Sequence, residues 1–342
     1  MRQRTHTRRW RGTQRGDGTH GRRGAALLTA AVAVSLVAGC TVGSGPGPVK
    51  EDDRRAPDRE SSPSAKGRGG SLLAVKVDNV RAARPQTGLD AADVVYVEPV
   101  EGGLSRLLAV YATELPESVG PVRSARESDL ELLRQFDRPT LAFSGAQNKL
   151  LPLIDKAPLR AEPPGGESDA YVRDEGRPAP HNLYVRPGRL LPGPAGAEAL
   201  TTGFRHGEAP EGGAAASSRT VRYPSASFTF TWSGSRDRWL VSMDGAPART
   251  AGGGRLAPAT VVVQHVNVRE SDFRDYLGNN SPYVESVGSG RAEVLRDGRA
   301  HAATWKRGAA ADGTSFTTAD GTPLNFAEGQ VWVVFADTTK QP

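Results

Sequence analysis

The sequence predicts an α+β protein: a mixed α/β N-terminal domain followed by a β-rich, antiparallel C-terminal domain. Three observations lead there. Residues 71–200 interleave apolar, strand-like runs with a stretch of helical spacing at Leu130, Leu133 and Phe136. Around residues 206–220 the chain falls back on Gly, Ala and Ser, the composition of a boundary. Beyond it, short β-branched or aromatic runs alternate with Asp-Gly pairs at Asp244, Asp297, Asp312 and Asp320. Asp-Gly suits tight hairpins, whose central residues need positive φ.

The 342 residues exceed what one core usually organises, and the expected boundaries follow composition. Residues 1–39 read as a lipoprotein signal peptide, 40–70 as a disordered tether, 71–205 as the N-terminal domain, 206–220 as a linker and 221–338 as the C-terminal domain. The formal net charge of +6 is misleading until it is divided. Residues 1–39 carry +7 through eight arginines against Asp17, so the remainder is close to neutral, at −1. A basic footprint confined to a leader argues against nucleic acid as a partner.

Arg22-Arg23 precede an apolar run from Ala25 to Ala38, which is short for a membrane span and suits a secretory segment. The run closes in Leu36-Val37-Ala38-Gly39-Cys40, which resembles a bacterial lipobox and marks Cys40 for lipidation. Cys40 is the single cysteine, so no internal disulfide can form and thiol catalysis in the folded part is excluded. The expected location is therefore the extracytoplasmic face of the cell membrane, with the membrane as one partner. From Thr41 to Gly70 the chain has almost nothing to bury.

Within the N-terminal domain, Leu72–Val77 (LLAVKV) reads as a buried strand ending at Asp78-Asn79. Pro85 and Gly88 shape the loop Arg84–Leu89 (RPQTGL). Asp93–Val100 and Leu104–Ala112 form a hairpin turning at Gly102-Gly103, which would make Glu101 and Arg106 diagonal neighbours on one face. Pro99 leaves the face of Glu98 open. Arg106 interrupts an apolar face with Leu108 and Val110, so it is either paired with Glu101 or Glu98 or reaches a cleft. Ser124 with Glu127 three residues on has capping-box spacing, placing a helix start at Ser124. Arg123 and Arg126 would then crowd a positive helix end, an arrangement that makes sense around an anion. His181, in Pro180–Tyr184 (PHNLY), is a titratable candidate without an evident nucleophile. No metal-ligand spacing, phosphate loop or nucleophile elbow is present, so no metal and no cofactor are expected.

In this order VKVDN (75–79), ARPQTGL (83–89), EGGLSR (101–106), GPVRSAR (120–126) and PHNLY (180–184), with the lipobox, resemble the YerB-like lipoprotein family, domain of unknown function 3048. Ser105 stands where that pattern leads one to expect Thr. The resemblance implies a two-domain exported lipoprotein and no assigned reaction. The residues themselves suggest an anion-binding cleft built from Arg84, Arg106, Arg123 and Arg126, with Ser124 as donor and Asp78, Asn79, Glu98, Glu101 and His181 around it. Its ligand would be an anionic envelope glycan or an envelope protein. Two other readings stand beside it: a glycosidic or phosphodiester hydrolase using Glu98 and Glu101, and a structural or assembly partner whose charges are all internally paired.

Overall fold

The computed structural model describes residues 71–338, apart from 167–168 and 276, and all of these lie in the second of the chain's two compact units, Ala65–Pro342. The leader, Cys40 and the 40–70 segment fall outside the described residues.

The described chain is β-rich. The N-terminal half contributes β1 (Leu73–Asp78), β2 (Val94–Pro99), β3 (Ser105–Tyr111), α1 (Glu127–Leu133), β4 (Thr140–Ala142), α2 (Leu151–Lys156), β5 (Arg160–Glu162), β6 (Tyr171–Arg173) and β7 (Leu183–Val185). After it come β8 (Ala214–Ala215), β9 (Ser218–Tyr223), β10 (Ala226–Ser233), β11 (Arg238–Met243), β12 (Ala246–Pro247) and β13 (Thr260–Val266). The chain then continues through β14 (Val268–Arg274), β15 (Asn280–Val284), β16 (Gly288–Arg296), β17 (Arg299–Arg307), β18 (Ser315–Thr317) and β19 (Val331–Asp337).

This corrects the expected fold class: the N-terminal half is not a mixed α/β domain. Its two α-helices have seven and six residues. The helical spacing after Ser124 is real but brief, and from Pro152 to Pro194 prolines recur too often for a longer helix to propagate.

An eleven-stranded mixed sheet forms the spine, in the order β18-β17-β16-β13-β19-β2-β3-β1-β4-β5, with β8 on β17. β19 lies parallel between β13 and β2, so strands from both sides of residues 206–220 share this sheet. Both faces are covered. β9–β12 make a four-stranded antiparallel sheet, and Phe228, Phe230 and Trp239 from it pack with Val75, Val97 and Trp332. On the other face Leu132, Leu133, Phe143 and Ile154 pack against Ala74, Tyr96 and Leu108. Two-sided burial explains why the central strands read as continuous apolar runs. β1 is buried at all six positions and β19 at all seven.

Two of the four Asp-Gly pairs have the predicted turn geometry, with positive φ at Asp244 and Gly245 and at Asp297 and Gly298. The second pair closes β16 onto β17 with Arg296 opposite Arg299.

Candidate functional site

The register of the central strands gathers charge at one end of the sheet. Arg106 stands opposite Glu98 on β2 and opposite Asp78 on β1, so the three side chains leave the same face. Lys76, two residues before Asp78, shares that face. The β2–β3 connection is Glu101–Gly103, with Gly102 and Gly103 at φ 69° and 70°, and Val100 N–H donates to Leu104 O at 2.9 Å. Glu101 therefore sits in the turn instead of on the strand, and Glu98 is the cross-strand neighbour of Arg106.

A cavity of about 750 Å³ opens above this end, within the range of small-molecule sites. Asp78, Glu101, Arg106, Arg123, Ser124 and Arg126 all line it. Its far wall comes from the end of β14 and the turn after it, through Phe273, Arg274, Asp275 and Leu277, and from Ser281 on β15. Gln147 Nε2 donates to Arg274 O at 2.7 Å across the rim.

The helix start expected at Ser124 falls three residues later. α1 begins at Glu127, Arg126 is its N-cap residue, and Asp129 Oδ2 accepts the Arg126 N–H at 2.6 Å. Asp129, not Glu127, does the work of the capping box, because Ser124 and Ala125 still lie outside the helix, where Ala125 N–H reaches Gly145 O. Arg126 is consequently not a free cation at a helix end. Its Nε and Nη2 donate to Glu101 Oε1 and Oε2 at 2.6 and 2.8 Å, and the Ser281 hydroxyl also donates to Glu101 Oε1. Burial alone would raise the Glu101 carboxyl, but the Arg126 hydrogen bonds and charge, helped by Ser281 and Arg106, outweigh it and hold the group below its ordinary range.

The other lining acids are also engaged. Asp78 Oδ2 takes His181 Nδ1 at 2.8 Å and Arg123 Nε at 3.3 Å. Glu127 Oε2 accepts the Ser271 hydroxyl at 2.6 Å, and Asp275 Oδ1 accepts the N–H groups of Leu277 and Asn279, both at 2.9 Å. Arg106 differs. It takes part in no ion pair among the described residues, and its one hydrogen bond there is a long one, 3.4 Å, to Ser124 O. Burial, with the like charge of Arg126, pulls its guanidinium down to about 10. Arg274 at the rim is likewise outside the ion pairs of the described residues, and exposed.

Four of the sequence-predicted positions stand away from the cavity. Arg84 is spent on structure: Nη1 pairs with Asp244 at 2.8 Å and Nη2 donates to Asn79 O at 2.7 Å, tying the RPQTGL loop to the β11–β12 turn. Asn79 holds the same corner, donating to Ser105 Oγ and accepting from Gln86, both at 2.9 Å. The hydroxyl at Ser105 is thus in use. Glu98 turns into the core against Lys76, with Asp129 beside them. His181 lies behind Asp78, and its neighbour Pro180 lines the cavity instead.

Sequence reasoning missed the β14–β15 wall, whose alternating polar residues look like any solvated hairpin. It also passed over Lys76, although a lone charge inside LLAVKV was a readable signal. Among the described residues no group of His, Cys, Asp and Glu side chains is arranged to hold a metal ion. No helix among them is long and apolar enough to cross a membrane.

A mostly β, two-segment architecture with an arginine-lined cavity at the sheet end thus defines the class. The chain belongs to the family described as protein of unknown function (DUF3048): the N-terminal domain matches residues 61–200 and the C-terminal domain residues 219–333. It is similar to the curated Bacillus subtilis (strain 168) protein named "Putative lipoprotein YerB", with 49% identity over 65 residues, which is 19% of this chain and 20% of that protein. That match spans about a fifth of the relative's length. The crystal structure of YerB protein from Bacillus subtilis superimposes with a TM-score of 0.63 at 20% identity, covering 78% of this chain and 91% of that one. At that identity the likeness concerns the fold.

Proposed function

We propose that the chain is a lipid-anchored protein of the extracytoplasmic membrane face whose cavity seats an anionic group of an envelope glycan. The lipobox-like Leu36–Cys40 and the name of the Bacillus subtilis relative support the anchor. The ligand reading rests on Arg106. A partly buried guanidinium without a carboxylate partner is costly, and an incoming carboxylate or phosphate offsets that cost through charge-assisted, bidentate hydrogen bonds. The lining acids cannot take that role, because each is already held by its own donors.

The apolar part of the lining, with Val100, Leu104, Leu150 and Phe273, suits the C–H faces of a sugar. A hydrolase using Glu98 and Glu101 together gains no support, since Glu98 faces the core and not the cavity. The test is a binding screen of the full chain against carboxylate-bearing muropeptides and phosphate-bearing teichoic-acid fragments, with Arg106→Ala as control. Binding that the variant loses supports the reading; equal binding by both proteins removes it. Capture of an envelope protein with no glycan bound would favour the assembly-partner alternative.

A further inference from the structure

Beneath the cavity, and independent of what occupies it, lies a dry triad that the site does not use. Lys76 is 0% exposed, Glu98 1% and Asp129 0%. Lys76 Nζ contacts Glu98 Oε2 and stands 2.5 Å from Asp129 Oδ1. Lys76 lies on β1 and Glu98 on β2, two strands of one sheet with β3 between them, while Asp129 comes down from α1.

The residue choice is unusual for this chain. It has only seven lysines among 44 basic residues, and Lys76 alone of the described lysines is buried. Of the buried arginines, Arg296 is satisfied by two carbonyl oxygens and Asp297, and Arg307 by four carbonyl oxygens, which is an ordinary structural use. Arg would also make the better ion pair at Lys76. Lys is required where a nitrogen must lose its proton and act as a nucleophile.

The two acids differ in a way that sorts their roles. Both Asp129 oxygens accept hydrogen bonds, Oδ2 from the Arg126 N–H and Oδ1 from Lys76, which aims Oδ1 at the Lys76 nitrogen. Glu98 Oε1 is buried with no hydrogen-bond partner among the described residues. Burial, and next the Asp129 charge, outweigh the Lys76 charge and raise the Glu98 carboxyl well above the ordinary carboxylate range, which favours its neutral form.

We propose that Lys76 and Glu98 are joined by an intramolecular isopeptide bond, formed by the fold itself with Asp129 as the proton-transfer group. Asp129 takes a proton from the Lys76 ammonium, and the free amine attacks Cδ of the neutral Glu98 carboxyl. The C–N bond forms, the C–OH bond breaks, and the hydroxyl leaves as water with one of the two protons that nitrogen gives up. The other proton remains on Asp129. No oxidant, reductant or activating group is needed, and the dry surroundings favour loss of water. A chain whose single cysteine is Cys40 can form no internal disulfide, and this bond would clamp β1 to β2 under the cavity.

Peptide mapping of the full chain decides the matter. Trypsin should leave residues 69–81 uncut at Lys76 and joined to residues 82–106, one water lighter than their sum. Lys76→Met should abolish the junction. If the wild-type protein yields separate 69–76 and 82–106 peptides in full amount, the bond does not exist, whether or not any variant folds. An Asp129→Asn protein that keeps the junction would overturn the assignment of Asp129.

Discussion

Arg126 grips Glu101 through two parallel hydrogen bonds of 2.6 and 2.8 Å, joining the first residue before α1 to the β2–β3 turn across the floor of the cavity. This pair turns a cation that the sequence assigned to the ligand into one that positions the site. Both side chains are largely buried, at 13% and 6% exposure, so the loss of one strands the other.

Removing Arg126 should therefore destabilise the protein. Arg126→Ala leaves the Glu101 carboxylate largely desolvated with Ser281 as its remaining side-chain donor, a change expected to cost about 3 kcal/mol. Chemical denaturation of Arg126→Ala, Glu101→Gln and the double variant would show this, and the double variant should cost less than the sum of the two.

The same pair predicts a pH dependence. The Glu101 carboxyl lies below its ordinary range in the folded state, so the folded protein binds this proton less readily than the unfolded chain does. Its stabilising contribution is present above the unfolded carboxylate range and is lost as the pH falls through the lowered folded value. Glu101→Gln should flatten the acid limb of the stability profile measured by urea denaturation at a series of pH values.

Arg106 should behave in the opposite sense. With no carboxylate partner among the described residues, its replacement by Met removes a desolvation cost, so stability should hold or rise by about 1 kcal/mol. A thermal melt of Arg106→Met that falls well below wild type would mean that Arg106 holds the fold.

Gly103 should not tolerate a side chain. Its φ is 70°, and an added Cβ would stand 2.5 Å from Pro224 Cβ, so Gly103→Ala strains the turn that carries Glu101. A loss of about 1–3 kcal/mol is expected, whereas Gly102→Ala, which meets nothing within 4 Å, should cost less. Denaturation midpoints of the two variants would rank them.

Much of this arrangement is legible in the sequence because local chemistry and tertiary position agree. LLAVKV, DVVYVEPV and QVWVVF are strands because each is buried on both faces. GPVRSAR and EGGLSR meet at one cavity because their strands and turns end at the same edge. The fold class is not legible where helical spacing occurs but Pro-rich sequence limits helix to α1 and α2. The role of Arg84 is not legible because its partner, Asp244, is 160 residues away, a distance over which no pattern announces an ion pair. The β14–β15 wall was invisible for the same reason: Ser281 is polar in sequence and becomes part of a site only where β15 meets Glu101.

The role proposed for the cavity depends on whether the guanidinium of Arg106 recognises negative charge. Calorimetric titration of the wild-type protein and Arg106→Gln with one muropeptide, as its free carboxylate and as its amide, makes a four-cornered comparison. The wild type should prefer the carboxylate by about tenfold or more, as expected for a charged hydrogen bond, and the variant should bind both forms alike. A wild-type protein indifferent to the charge, or a variant that keeps the preference, would contradict it.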